Sequence, residues 1–279
     1  MSVNIKDNGS RSLNRAVQTE TRTNSGIETK AGVRADSHSA SNKSPTVHSS
    51  RRKVGNPVIL AIDLVSILIG LYGFYTSVFV IKLPPHLAQA GHGQFLTNLS
   101  LVYSLVVFAI GFLAHLTASQ TLFKLKNNLH PIGLALETIV AGVYWPLRLF
   151  FLHLLTKEPS KFNFPLLTDL SVHLMPIVSL LIDYLVFMPK WTIENNTALS
   201  FIVAFMVFYW FLLKNLVDTA NGASYPYEFL DVGTDLYRVG VFGVVGMVAF
   251  SQFLFMKKVY DVVVGSTEDA QEEIDKKLQ

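Results

Sequence analysis

The chain has 279 residues, half of them hydrophobic, with positive mean hydropathy, a net charge of +3 and no cysteine. Missing cysteine excludes disulfides, thiol nucleophiles and thiolate metal sites. So small a charge on so apolar a chain also argues against nucleic-acid binding.

Residues 1–56 are rich in Ser, Thr, Asn and Arg and poor in large apolar side chains. Such a segment cannot bury enough surface to offset its ordering entropy, so a disordered polar tail is expected. It lacks the apolar core of a secretory signal peptide, and its glutamates speak against a mitochondrial presequence. From Pro57 onward, apolar runs alternate with short polar breaks. A bilayer core takes about 20 apolar helical residues to cross. Six spans fit, at 57–81, 95–118, 131–155, 165–188, 198–216 and 239–256, followed by a charged tail at 261–279. The first, third and fourth open on Pro57, Pro131 and Pro165, where a missing N–H costs nothing. A soluble bundle is excluded because helices apolar on every face leave no wetted surface. Neither an internal repeat nor the paired broken helices of transporters is legible. The expected fold class is therefore all-α: a polytopic membrane protein of six transmembrane helices with a disordered N-terminal tail.

An even number of spans puts both termini on one side. Near the spans on that side lie Arg51, Arg52, Lys53, Lys124, Lys126, Lys190, Lys257 and Lys258. The other side carries fewer cations, among them Lys82, Lys214 and Arg238, beside Asp218, Glu228, Asp231 and Asp235. This bias orients both termini to the cytosol. The closing "KKLQ" then fits a Lys-Lys-x-x retrieval signal, with coat proteins as partners of Lys276 and Lys277 and the endoplasmic reticulum membrane as location. Glycosylation of the sequon at Asn195 would invert this topology.

Ionisable groups inside a span are costly and by default face the bundle interior and serve a function. Here they are Asp63, Glu137, Arg148, His153, Asp169, His173 and Asp183, with His115 near a cytosolic end. Thr97 falls in the first turn of the second span, and His173 roughly 12 Å into the fourth from the same side. Arg148 and His153 approach that layer from the third span. Asp169 precedes His173 by four residues and shares its helix face, where a carboxylate can hold the imidazole in one tautomer. Thr97, His173 and Asp169 can thus form a nucleophile, base and orienting acid. Thr97 can equally cap a helix, and His173 can simply bond a neighbouring helix. Asn98 is a weak candidate to stabilise an oxyanion. Arg148 can grip a substrate carboxylate or reach for lipid phosphates. Asp183 fits a structural hydrogen bond, while Asp63 and Glu137 look mid-membrane or cytosol-side and can pair with other spans. No metal set and no cofactor motif is read.

"KLPPH" (82–86) followed by "GHGQFLTNLSLV" (91–102), "DLSVHLMPIVSLLIDYLVF" (169–187), "YPYEFLD" (225–231) and the weaker echo "AGVYWPL" (141–147) together resemble the FAR-17a/AIG1-like (androgen-induced gene 1) family. The resemblance covers about 57–260 and neither tail. It implies an intramembrane hydrolase of fatty acid esters of hydroxy fatty acids, with the family's threonine nucleophile falling on Thr97 and its histidine on His173. Asp169 stands where the animal members carry an amide, and the long N-terminal tail is absent from them. The resemblance makes a lipid ester the expected substrate. The competing class is a non-catalytic lipid-binding scaffold or a proton-linked transporter using Asp63, Glu137 and Asp183, which requires a water path joining acids at several depths.

Overall fold

The computed structural model describes residues 52–156, 163–231 and 233–265. The polar tail before Arg52 and the Lys276–Lys277 pair lie outside the described residues. Within them the chain is an all-α membrane protein without strands. Its main helices are α1 (Pro57–Tyr75), α2 (Leu96–Leu116), α3 (Gln120–Phe150), α4 (Leu166–His173), α5 (Met175–Ile182), α6 (Asn195–Leu216) and α7 (Asp235–Tyr260). Five of these, some extended by a terminal turn, are long and apolar enough to cross a bilayer, and the α4–α5 pair, bent by 40°, makes up to a sixth crossing. In lipid every backbone polar group must be satisfied internally, which is why the spans are helical. Their outward faces carry exposed Leu68, Phe208 and Met247, side chains that water would repel and lipid accepts.

Local sequence sets the helix starts. Asn56 accepts from the Val58 N–H at 2.9 Å with Pro57 behind it, so α1 begins where a cap and a preset φ coincide. Ser119 and Thr234 cap α3 and α7 in the same way. The third span does not open on Pro131. Helix α3 starts eleven residues earlier, at Gln120, and carries both Pro131 and Pro146 in its interior. A span packed on several neighbours can absorb the lost N–H, and the Ser119 cap supplies a better start. The fourth span does break. Pro176 has no N–H to offer the Val172 carbonyl, so the helix ends at His173 and restarts at Met175 across Leu174, at φ −125° and ψ −47°.

Helix α2 packs between α1 and α3, α4 and α5 lie against α1 and α3, and α7 covers α3 and α6. Gly73 permits the close approach of α1 to α4. A Cβ there would come within 2.8 Å of Val172 and 2.9 Å of Ser171, next to His173.

The end of the bundle away from Thr97 is tied by buried charge. Lys126 lies 2.7 Å from Asp183 Oδ2 and 3.4 Å from Asp63 Oδ2, and His130 Nε2 is 3.5 Å from Asp183 Oδ2. All four side chains are almost completely buried. Lys126 is thus not a loop cation facing water, as its place in the sequence suggests. The early start of α3 carries it into the bundle, and Gly111 leaves the room it needs, since a Cβ there would sit 2.8 Å from Nζ. Asp63 and Asp183 pair across spans through this one ammonium, while Glu137 accepts from Ser104 at 2.7 Å near mid-depth. Breaking a buried ion pair strands the partner charges, at a cost of about 3–5 kcal/mol. Lys126→Ala is therefore expected to lower the melting temperature in detergent sharply, whereas Lys124→Ala, on the exposed side of the same turn, leaves it nearly unchanged.

Candidate functional site

Thr97 is the second residue of α2. Phe95 occupies the cap position and makes no side-chain capping bond, so the threonine is not the cap. The loop before it is fixed. Gln94, fully buried, donates to the carbonyls of Leu87 and Gly91 at 2.8 and 3.0 Å, and its own carbonyl accepts from the Tyr209 hydroxyl at 2.8 Å. These bonds hold the entry to α2 against α6.

His173 comes from the other side, as the last residue of α4. Its Nε2 lies 3.5 Å from Thr97 Oγ1, and its Nδ1 lies 2.8 Å from Asp169 Oδ1. Both His173 and Asp169 are buried. The carboxylate accepts, so the proton sits on Nδ1 and the Nε2 lone pair faces the threonine hydroxyl. Tyr144 of α3 stacks flat on the imidazole at 3.4 Å between ring centroids and 2° between planes, and Trp145 donates its indole N–H to the His173 carbonyl at 3.3 Å. The ring is thereby held on its face, along its edge and through its backbone. A 3.5 Å contact is long for proton transfer, as unliganded sites often are, and shortens when substrate closes them.

The structure brings Thr97, His173 and Asp169 together. Arg148 sits behind them. Its Nε is 3.7 Å from Asp169 Oδ2, and it is not among the residues lining the cavity in front of Thr97. Asn98 does line that cavity, but its amide is engaged, accepting from Ser77 at 3.1 Å and donating to the His92 carbonyl at 2.9 Å.

The cavity measures about 390 Å³. Thr97, His173, Tyr144 and Tyr227 form its floor, and Lys82, His86 and His92 stand among its wall residues. Burial depresses the His92 imidazole below its ordinary value, so it remains neutral at physiological pH. Tyr227, in the loop between α6 and α7, was legible only as part of a motif. Its ring lines the same cavity as Thr97, near the Thr97 hydroxyl and the backbone amides of Leu96 and Thr97. Burial raises this phenol above its usual range, and those donors pull it partly back. The ring is fixed by stacking on Phe229 and an edge contact with Phe95.

Sequence reading missed Tyr144, Trp145, Tyr227 and Ser77. Tyr144 carries a usable signal, since it precedes Arg148 by four residues and so shares its face. Tyr227 has none, because a loop residue's reach depends on tertiary packing.

A helical multi-pass membrane protein with a Thr–His–Asp constellation facing a mainly apolar cavity is the class these observations define. The family model described as FAR-17a/AIG1-like protein matches residues 60–261, and the chain belongs to that family. It is 32% identical over 214 residues to "UPF0641 membrane protein YHR140W" of Saccharomyces cerevisiae, covering 71% of this chain and 89% of that one. It is also 32% identical over 179 residues to "UPF0641 membrane protein PJ4664.05" of Schizosaccharomyces pombe, covering 64% and 79%. No solved structure matches.

The tautomer can be checked without any assumption about activity. In protein carrying ¹⁵N-histidine, His173 is expected to give the signals of the Nδ1–H form, and Asp169→Asn to mix the two tautomers. An Nε2–H signal in the wild type would contradict the geometry.

Proposed function

We propose that this protein is an intramembrane ester hydrolase acting on fatty acyl esters, among them fatty acid esters of hydroxy fatty acids, with Thr97 as nucleophile and His173 as base. The observation that carries this reading is the line Asp169–His173–Thr97, at 2.8 and 3.5 Å, opening on a cavity. Nε2 takes the Oγ1 proton as the oxygen attacks the ester carbonyl carbon, giving a tetrahedral oxyanion. Its collapse breaks the ester C–O bond, and the departing alkoxide takes the proton from Nε2. A water then gives its proton to Nε2, its oxygen attacks the acyl-threonine, and the threonine oxygen leaves with that proton. Asp169 keeps the ring oriented and stabilises the imidazolium formed in both halves. For the oxyanion, the Tyr227 hydroxyl is the best-placed donor.

The acyl chains of such an ester can enter from the leaflet, while its free carboxylate and the attacking water stay on the polar side of the cavity. A transporter fits less well. Asp63 and Asp183 share the Lys126 ammonium roughly 21 Å away as measured along α2, and none of Asp63, Glu137 and Asp183 lines the cavity. A membrane of the endoplasmic reticulum, with both ends of the spanning region towards the cytosol, remains the proposed setting, its orientation carried by the lysine bias.

Thr97→Ala and His173→Ala are each expected to lower kcat for a branched fatty acyl ester by about 10²-fold or more, with expression and melting temperature intact. A fluorophosphonate is expected to label the wild type and not Thr97→Ala. Hydrolysis by purified Thr97→Ala at the wild-type rate would refute the assignment.

A further inference from the structure

Two smaller cavities lie behind Thr97. A second cavity of about 70 Å³ shares Thr97, Tyr144, Leu155 and Tyr227 with it. A third, of about 50 Å³, shares Leu96, Ile139, Tyr209, Phe242 and Val245 with the second. The second and third lie along the seam where α3, α6 and α7 meet, from Tyr144 to Ile132 on α3 and from Val241 to Ala249 on α7. Along α3 the lining residues span roughly 18 Å, but the open space is only about 70 and 50 Å³, so a chain lying there takes its room by displacing flexible side chains such as Met206.

The lining decides what can lie there. In the third cavity the one hydroxyl belongs to Tyr209, and it already donates to the Gln94 carbonyl. Water needs two to four polar partners to stay in such a space, and a headgroup needs more. Cavities this narrow also exclude a ring or a second chain. The far end is built from small side chains, Ala135, Gly246 and Ala249, with Met206 lying over Gly246 so closely that a Cβ on the glycine would collide with its sulfur. Methionine is flexible and adapts to a variable apolar tip.

We propose that the α3–α6–α7 seam is an acyl-chain subsite that receives the acid portion of the ester, the part that becomes bonded to Thr97. The alcohol portion stays in the outer cavity, beside Lys82, His86 and His92. This rests on the hydrolase reading and extends it: the distance from Thr97 to Ala249 and Met206 sets which acyl lengths are accepted. The small residues at the far end are specificity determinants, although none of them lines the outer cavity.

The test uses the full-length protein in detergent with p-nitrophenyl esters of four- and sixteen-carbon acids, and with alkyl fluorophosphonates of the same two lengths. Ala249→Phe plugs the far end and is expected to cut kcat/KM and labelling rate for the long chain at least tenfold while sparing the short one. Met206→Ala widens the end and is expected to shift preference towards longer chains, so the idea stays testable if the larger side chain disturbs folding. Unchanged length profiles in both variants, or equal loss at both lengths, would overturn the subsite. So would a co-purified phospholipid that Ala249→Phe displaces without altering the profile, since the seam would then hold a structural lipid. If Thr97→Ala hydrolyses and labels like the wild type, the hydrolase reading itself fails; if Thr97→Ala is dead and only the profiles fail to move, the fault lies with the subsite alone.

Discussion

The hydrogen bond from His173 Nδ1 to Asp169, 2.8 Å long and buried, determines which ring nitrogen meets Thr97. An imidazole with its proton on Nε2 would present a donor to the Thr97 hydroxyl, whereas the proposed reaction needs an acceptor there. Four residues of helix are enough to supply the constraint, because Asp169 and His173 belong to the same eight-residue segment. The break after His173 gives that segment its angle, the Gly73 contact lets it approach α1, and Tyr144 closes one face of the ring. Each device serves the placement of one nitrogen.

The two ends of the bundle solve the problem of buried polarity in different ways. At one end, Lys126 pairs with Asp63 and Asp183, so α1, α3 and the turn that ends α5 are held by one shared ammonium. At the other, polar groups surround a space. Thr97, His173 and Tyr227 keep reactive atoms towards a cavity, while Gln94, Asn98 and Ser77 spend theirs on the backbone and on one another. The first arrangement resists change and the second is open to a ligand. That contrast separates structural from chemical polarity among residues that composition alone treats alike.

Much of this was legible in the sequence. Hydropathy located the spans, because a membrane helix needs little beyond apolar length. The i, i+4 spacing of Asp169 and His173 is local and survived into the structure. Thr97 and His173 share a depth because span direction alternates, which chain order already states. What sequence could not carry was lateral: Lys126 looks like a loop cation until α3 is known to start at Gln120. Tyr227 reaches Thr97 only because the loop between α6 and α7 folds back over α2. The bend at Leu174 depends on Pro176, yet Pro131 and Pro146 leave α3 continuous, so proline alone does not locate a break in a packed span.

The chain lacks cysteine, so Thr97→Cys creates a single thiol at the position of the hydroxyl. With His173 beside it, that thiol should pass its proton to Nε2 and be alkylated by iodoacetamide at neutral pH about tenfold faster than when His173→Ala is also present. Equal alkylation rates in the two proteins would mean that the ring nitrogen does not reach residue 97, and the account of the site would be wrong.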